Sequence, residues 1–190
     1  MNSPSSPAAA AAPFVIRDAQ PSDFDAIQGI YCHHVLHGLA TFEEIPPDAA
    51  ELRTRHDNIV RQGLPYLVAV RDGQVLGYAY ASAYRPRPAY RYTVEDSIYL
   101  AHDAGRQGLG AALLAALIQR CEQGPWRQMI AVIGNSENQG SIAVHTRLGF
   151  TLTGIQPNTG YKLGRWVDTV LMQRALGPGG STPPGNPTAL

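Results

Sequence analysis

Residues 105–110, Gly-Arg-Gln-Gly-Leu-Gly, lead straight into an apolar helix-like run from Ala111 to Ile118. A helix start exposes unpaired N–H groups and a partial positive charge, and glycines let an anion approach them closely. The turn is therefore suited to a phosphate or pyrophosphate. It does not read as a nucleoside-triphosphate loop, because Ala111 and Ala112 stand where that loop carries Lys followed by Ser or Thr. It departs from the dinucleotide fingerprint too: Leu113 fills the place of the third small residue, and the strand before it comes late in the chain, after a hairpin. What remains is the pyrophosphate of some other cofactor, or a tight turn whose glycines serve geometry alone.

Two ionisable side chains, one on the strand before this turn and one on a later helix, have the types and settings for proton transfer. In Tyr92-Thr93-Val94-Glu95-Asp96-Ser97-Ile98, strand alternation puts Thr93, Glu95 and Ser97 on one face and Val94, Asp96 and Ile98 on the other. A carboxylate on a half-buried strand has its pKa raised, which suits a general base, so Glu95 is the candidate. Asp96, on the other face, is expected to be structural or exposed. His145 follows Ser141 by one helical turn and shares a face with Asn138 and Ser141; an imidazole there can carry a proton near neutrality. Asn138 and its neighbours also suit N-capping of that helix. Upstream, Arg85 and Arg87 lie among prolines and tyrosines, where fixed guanidinium groups can clamp a carboxylate. Phe42 and Tyr90 supply apolar walls for such a site. His33 and His37 have the spacing of a helical metal pair, but no Cys pair, HExxH motif or evident third ligand accompanies them, so no metal is expected.

The elements that must position these residues follow from periodicity. Residues 14–19 read as a strand; Pro21 and Ser22 open a helix that Gly38 closes, and 48–63 form a second helix. Residues 66–84 read as a hairpin turning at Asp72-Gly73, and 92–101 as a strand. A helix from the Gly-rich turn to about Glu122, a strand at 127–134, a helix ending at Gly149, and strands at 150–156 and 166–176 complete the order β-α-α-β-β-β-α-β-α-β-β. This is an α/β (α+β) pattern, a mixed sheet with helices on both faces. Ser, Pro and Ala fill residues 1–12 and Gly, Pro and Thr dominate 177–190, so both tails are expected to be disordered around one domain at 13–176.

Lys+Arg and Asp+Glu balance at 15 each, and no basic helix stands out, so neither nucleic acid nor an anionic membrane is an expected partner. No apolar run nears the roughly 20 residues of a membrane span. The first residues lack the charged and Leu-rich regions of a secretory signal, and both Cys32 and Cys121 read as reduced thiols, so a cytoplasmic location is expected.

The strand with Glu95, the Gly-rich turn and its helix, the strand 127–134, and Asn138-Gln139-Gly140-Ser141 through Phe150 together resemble the GNAT superfamily of acyl-CoA-dependent N-acetyltransferases. Gly105 stands where that family carries Gln or Arg, with Arg106 beside it. Thr41-Phe42-Glu43-Glu44, the segment 85–100, the segment 131–150 and Gly160-Tyr161-Lys162-Leu163-Gly164-Arg165-Trp166 are similar in order and spacing to the subgroup of phosphinothricin and methionine sulfoximine N-acetyltransferases. The resemblance implies a GNAT fold with a mixed, mostly antiparallel sheet of about six to seven strands. It implies acetyl-CoA as co-substrate, held by backbone of Ile98, Tyr99 and Leu100, by Arg106, Gln107, Gly108, Leu109, Gly110 and Ala111, and by Asn138 and Ser141. Glu95 matches the subgroup's base, and His145 stands where many relatives have a Tyr acting as acid toward the thiolate. Arg85, Arg87, Phe42 and Tyr90 would hold a small amino-acid-like acceptor, and a homodimer is implied. Trp166 is left between a dimer seam and a roof over the acceptor, and Asp168 would orient a loop. The alternatives are a protein or peptide acetylase, which needs an open groove, and an acyl-CoA-binding sensor without turnover.

Overall fold

The computed structural model describes residues 13–104 and 108–184. Val15–Asp18 (β1), Tyr66–Arg71 (β2), Gln74–Ala83 (β3), Thr93–Leu100 (β4), Gln128–Gly134 (β5), Thr151–Lys162 (β6) and Arg165–Ala175 (β7) make one seven-stranded sheet in the order β1-β2-β3-β4-β5-β7-β6. Only β4 and β5 run parallel; every other neighbouring pair is antiparallel. The helices are Phe24–His37 (α1), Ala49–Arg61 (α2), Leu109–Glu122 (α3) and Gln139–Arg147 (α4).

Local chemistry explains most boundaries. Asp72 and Gly73 both have positive φ, 49° and 78°, the two-residue turn that matches strand twist. Asp48 caps α2 by accepting from the Glu51 N–H at 2.7 Å, and Asn138 caps α4 by accepting from the Ser141 N–H at 3.2 Å. Gly63 and Gly149 end α2 and α4 with φ of 76° and 86°.

Register sorts the sheet into two faces. Tyr66, Tyr80 and Ser97 lie opposite one another across β2, β3 and β4, as do Tyr78 and Tyr99, and Ser82 and Glu95. The Tyr31 ring of α1 meets Tyr99 edge-on at 4.9 Å, so this face lies under α1 and α2. The alternate residues Leu67, Ala79, Ala81, Val94, Asp96 and Met129 face α3 and α4, whose Leu113, Leu114, Leu117 and Cys121 are fully buried. Helices therefore cover both faces. Cys32 and Cys121 are free thiols, and burial pushes the Cys121 thiol up to about 12.

Two expectations need correction. The last hairpin is longer than 150–156 and 166–176: β6 runs to Lys162 and turns at Leu163-Gly164, both at positive φ. Gly154, Pro157 and Gly160 disguise it, and they are tolerated because β6 is an edge strand with two register shifts. Residues 177–184, expected to lack structure, form turns held to the domain by Arg127, whose Nη2 donates to the Thr182 carbonyl at 2.9 Å and the Pro183 carbonyl at 3.1 Å. The expected disorder of residues 1–12 and 185–190 falls outside the described residues.

Candidate active site

β4 and β5 pair only from Thr93 with Gln128 to Asp96 with Ala131, yet both strands continue beyond, to Leu100 and Gly134. They part after Asp96, and a cavity of about 550 Å3 fills the gap. One edge of Ser97–Leu100 is bonded to β3; the edge toward β5 is open, a strand edge ready to receive amides in extended conformation. Ile98, Tyr99, Leu100, Gly108, Leu109, Gly110, Ala111, Asn138, Ser141 and His145 all line this cavity. The sequence-derived cofactor residues are thus brought together, except Arg106 and Gln107, which lie outside the described residues.

The start of α3 fits a pyrophosphate on two observations. Its N-cap, Gly108, carries no side chain to satisfy the first-turn amides and sits at φ 74°, a left-handed conformation that excludes most side chains. At Gly110 an added Cβ would meet only Leu100 Cδ1, at 3.5 Å, an ordinary contact. The protein's own packing does not require glycine there, whereas a ligand lying against the backbone would. His34 reaches the cavity from the other face, its Nε2–H donating to the Leu100 carbonyl at 2.8 Å; burial lowers its pKa and keeps it neutral.

Glu95 projects from β4 to the α1/α2 face, half-buried, with its pKa pushed up to about 7. Burial is the largest cause, the adjacent Asp96 charge adds to it, and Arg85 opposes both. Asp96 points to the opposite face and is buried, the structural of the two alternatives expected for it: it receives His145 Nε2–H at 3.0 Å. His145 Nδ1–H donates to the Ser141 carbonyl at 2.7 Å. Burial of the ring works against its charge, but the Asp96 carboxylate and the Ser141 carbonyl outweigh it and raise the His145 pKa, favouring imidazolium. His145 therefore lines the cavity in the strand gap, while Glu95, still paired with Ile130 one residue before the strands part, projects to the opposite face.

Of the acceptor candidates, Arg85 is the one whose charge reaches Glu95. Arg85 is exposed and rests over the Tyr84 ring at 5.0 Å; Arg87 is exposed, and Tyr90 meets Tyr84 edge-on at 5.7 Å. Phe42 lies in the α1–α2 connection, pressed on Gly160 so closely that a Cβ there would sit 2.5 Å from its ring. The same connection is clasped elsewhere. The Leu39 carbonyl packs on Gly134, buried Lys162 donates to the Thr41 carbonyl at 2.7 Å, and the Tyr31 hydroxyl donates to Glu43 at 2.9 Å. Arg55 holds Glu43 in turn. Sequence reasoning missed Lys162, Tyr31 and the Asp96 partnership; alternation along β4 was the available signal for Asp96, and none marked Lys162. Trp166 is exposed and meets Tyr161 at 5.3 Å, while Asp168 accepts from the Ser136 hydroxyl at 2.7 Å and the Asn158 N–H at 3.0 Å, joining two loops. His33 lies 5.2 Å from His37 and stacks on His102 at 5.0 Å, ring to ring.

Comparison with known proteins agrees with this geometry. Phosphinothricin N-acetyltransferase of Alcaligenes faecalis is 54% identical over 169 residues, covering 89% of this chain and 86% of that protein. L-methionine sulfoximine/L-methionine sulfone acetyltransferase of Pseudomonas aeruginosa is 43% identical, covering 88% of this chain and 98% of that protein. A crystal structure of a GNAT superfamily phosphinothricin acetyltransferase from Sinorhizobium meliloti, in complex with AcCoA, superposes with a TM-score of 0.89 at 49% identity, covering 93% of this chain and 97% of that one. Residues 16–171 match the model of the Acetyltransferase (GNAT) domain, and the chain belongs to that family.

Proposed function

We propose that the protein transfers the acetyl group of acetyl-CoA to the primary amine of a small amino-acid-like acceptor, such as phosphinothricin or methionine sulfoximine or sulfone, by direct attack in a ternary complex. The observation that carries this reading is the cavity between two parted strands, lined by the Gly108–Ala111 turn and the His145–Asp96 pair, with Glu95 on the same strand next to Asp96 and its pKa pushed up to about 7 by burial. The amine arrives as ammonium and must lose a proton before it attacks, and a group titrating near neutrality, directly or through water, is suited to take it. Open N–H groups along Ile98–Leu100 stabilise the oxyanion that develops on the thioester carbonyl. The collapsing intermediate expels CoA thiolate on the α3/α4 side, where the His145 imidazolium is the proton source and Asp96 holds its charge. Acid and base on opposite faces suit a reaction whose nucleophile enters and leaving group departs on different sides of one carbon.

The first turn of α3 is assigned to the CoA pyrophosphate, Asn138 and Ser141 to its pantetheine arm, and Arg85 and Arg87 to the acceptor carboxylate, with Phe42 and Tyr90 as walls. Assembly as a homodimer through the last hairpin is supported by Leu152, Ile155, Tyr161, Leu163 and Trp166, all more than half exposed on β6, β7 or their turn. A cytoplasmic location accords with the two free thiols. The test is twofold. Calorimetry should show acetyl-CoA binding, and an amine panel assayed for released CoA should show turnover with methionine sulfone or phosphinothricin and none with lysine peptides. No heat with acetyl-CoA overturns the reading.

A further inference from the structure

On the face that carries Glu95, a second cavity of about 330 Å3 lies between α2 and the sheet. Leu52, Arg55 and Ile59 of α2 and Tyr31 of α1 wall it, and Tyr66, Tyr78, Tyr80 and Ser82 of β2 and β3 floor it. Its volume is at the lower end of the range for small-molecule sites. The floor rings are stacked: Tyr66 lies 5.8 Å from Tyr78 and 5.0 Å from Tyr80, nearly parallel to both.

The hydroxyls divide into two groups. Those of Tyr31 and Tyr80 have partners in Glu43, Thr41 and Ser97. Those of Tyr66 and Tyr78, side chains only 4% and 1% exposed, make no hydrogen bond to any other described residue, although both residues line the cavity. The two hydroxyls are open to the cavity rather than sealed, so they are free to donate to whatever occupies it, whereas stacked phenylalanines would fill the same floor and offer no donor. The guanidinium at the rim is already engaged: Arg55 is bound to Glu43 and Glu51. The pocket thus offers neutral donors on an aromatic floor and no free cation.

Its place relative to the chemistry follows from register. Tyr66 lies opposite Tyr80 and Tyr80 opposite Ser97, while Ser82, at the cavity's edge, lies opposite Glu95. Two strand spacings across and two residues along put the Cα atoms of Glu95 and Tyr66 on the order of 12 Å apart. An amino acid with its amine at Glu95 has a side chain of the length to span that gap once the tyrosine's own reach is subtracted.

We propose that this cavity is the specificity pocket for the acceptor side chain, and that the free hydroxyls of Tyr66 and Tyr78 donate to an oxygen at its tip, so that compact, oxygen-tipped side chains are taken in preference to their plain thioether or alkyl counterparts. The inference rests on the assignment of Glu95 as the base, since that fixes where the amine sits. The test is Tyr66→Phe, Tyr78→Phe and the double variant in the full chain, each removing only an oxygen. L-methionine sulfone and L-methionine are compared as acceptors, because they differ only in two oxygens. The double variant is expected to lower the sulfone-to-methionine ratio of kcat/KM by about 10-fold or more, each lost neutral hydrogen bond accounting for roughly 2- to 10-fold. KM for acetyl-CoA stays within about twofold, and thermal stability is unchanged or higher, since no internal partner is lost. A ratio that does not move, or an equal loss for both acceptors, overturns the proposal. Calorimetric titration of methionine sulfone into the enzyme saturated with CoA reads the pocket without turnover: equal binding by wild type and double variant, or no binding by either, overturns it as well. Glu95→Gln separates the two ideas, because full activity in that variant removes the base assignment whatever the tyrosines do.

Discussion

Glu95→Gln tests the proposed chemistry and its structural origin together. The carboxyl is held at about 7 against 4.5 for a free Glu, which corresponds to at most about 3 kcal/mol of penalty on the ionised form. The side chain is only partly sealed from water, so about 1–2 kcal/mol is the expected measured value. The sign follows from proton counting. Between pH 4.5 and 7 the native protein binds more protons at this site than the unfolded chain does, so its contribution to stability falls as pH rises across that window and is fully unfavourable above it. Glutamine does not titrate. The variant should therefore match the wild type in urea unfolding at pH 4 and exceed it by about 1–2 kcal/mol at pH 8.

Activity should move the opposite way. Glutamine cannot accept the amine's proton, and the expected loss in kcat/KM at pH 8 is on the order of 10²–10⁴-fold, read by CoA release, with acetyl-CoA affinity unchanged. In the wild type the acidic limb of kcat/KM should carry an apparent pKa near 7. Changing the acceptor amine shifts only the upper limb, which identifies the lower one as the enzyme's. A solvated, bystander carboxylate would give neither signature. A variant that keeps more than about a tenth of the activity, or a wild-type profile without an ionisation between pH 6 and 8, refutes the assignment.

Asp96→Ala leaves the buried His145 without its counter-charge and should cost about 3–5 kcal/mol in urea unfolding. Because Asp96 raises the His145 pKa, that cost is full below pH 6.5 and shrinks as pH rises through the folded value. Gly108→Ala meets no atom within 4 Å but must hold φ near 74°, so it should cost about 1–2 kcal/mol and raise KM for acetyl-CoA without touching that for the acceptor. Lys162→Met removes the donor to the Thr41 carbonyl and should cost about 1–3 kcal/mol. It should also speed amide exchange across 39–43 and raise KM for the acceptor alone; unchanged exchange there removes the clasp.

The order of strands and helices was legible because each signal was local: Asp72-Gly73 for the first hairpin, Asp48 and Asn138 for caps, Gly63 and Gly149 for helix ends. The faces of β4 were legible from alternation, which puts Glu95 and Asp96 on opposite sides of the sheet as the register does. What the sequence hid was set by distant partners. Asp96 is buried because His145, 49 positions along, presents an imidazole to it. Lys162 is buried because two carbonyls of the α1 end and its connection converge on it. Residues 177–184 have a composition that favours disorder, and distant contacts outweigh it: Arg127 grips the Thr182 and Pro183 carbonyls, and Gly179 is buried against Ala175.

The adjacency of Glu95 and Asp96 lets one short strand serve both proposed proton-transfer groups, one on each face of the sheet. Strand alternation sends consecutive carboxylates to opposite faces, yet leaves them near enough that the Asp96 charge helps raise the Glu95 pKa. That charge persists in a buried place because His145 pairs with it. The proton on the imidazole and the protonation of Glu95, the proposed base, are thus linked through one carboxylate. Asp96→Asn, which keeps the shape and removes the charge, should lower the acidic limb of the pH–rate profile below 7 as well as altering His145. If that limb stays where the wild type has it while His145 titrates differently by NMR, the two faces are independent and the strand joins them only by position.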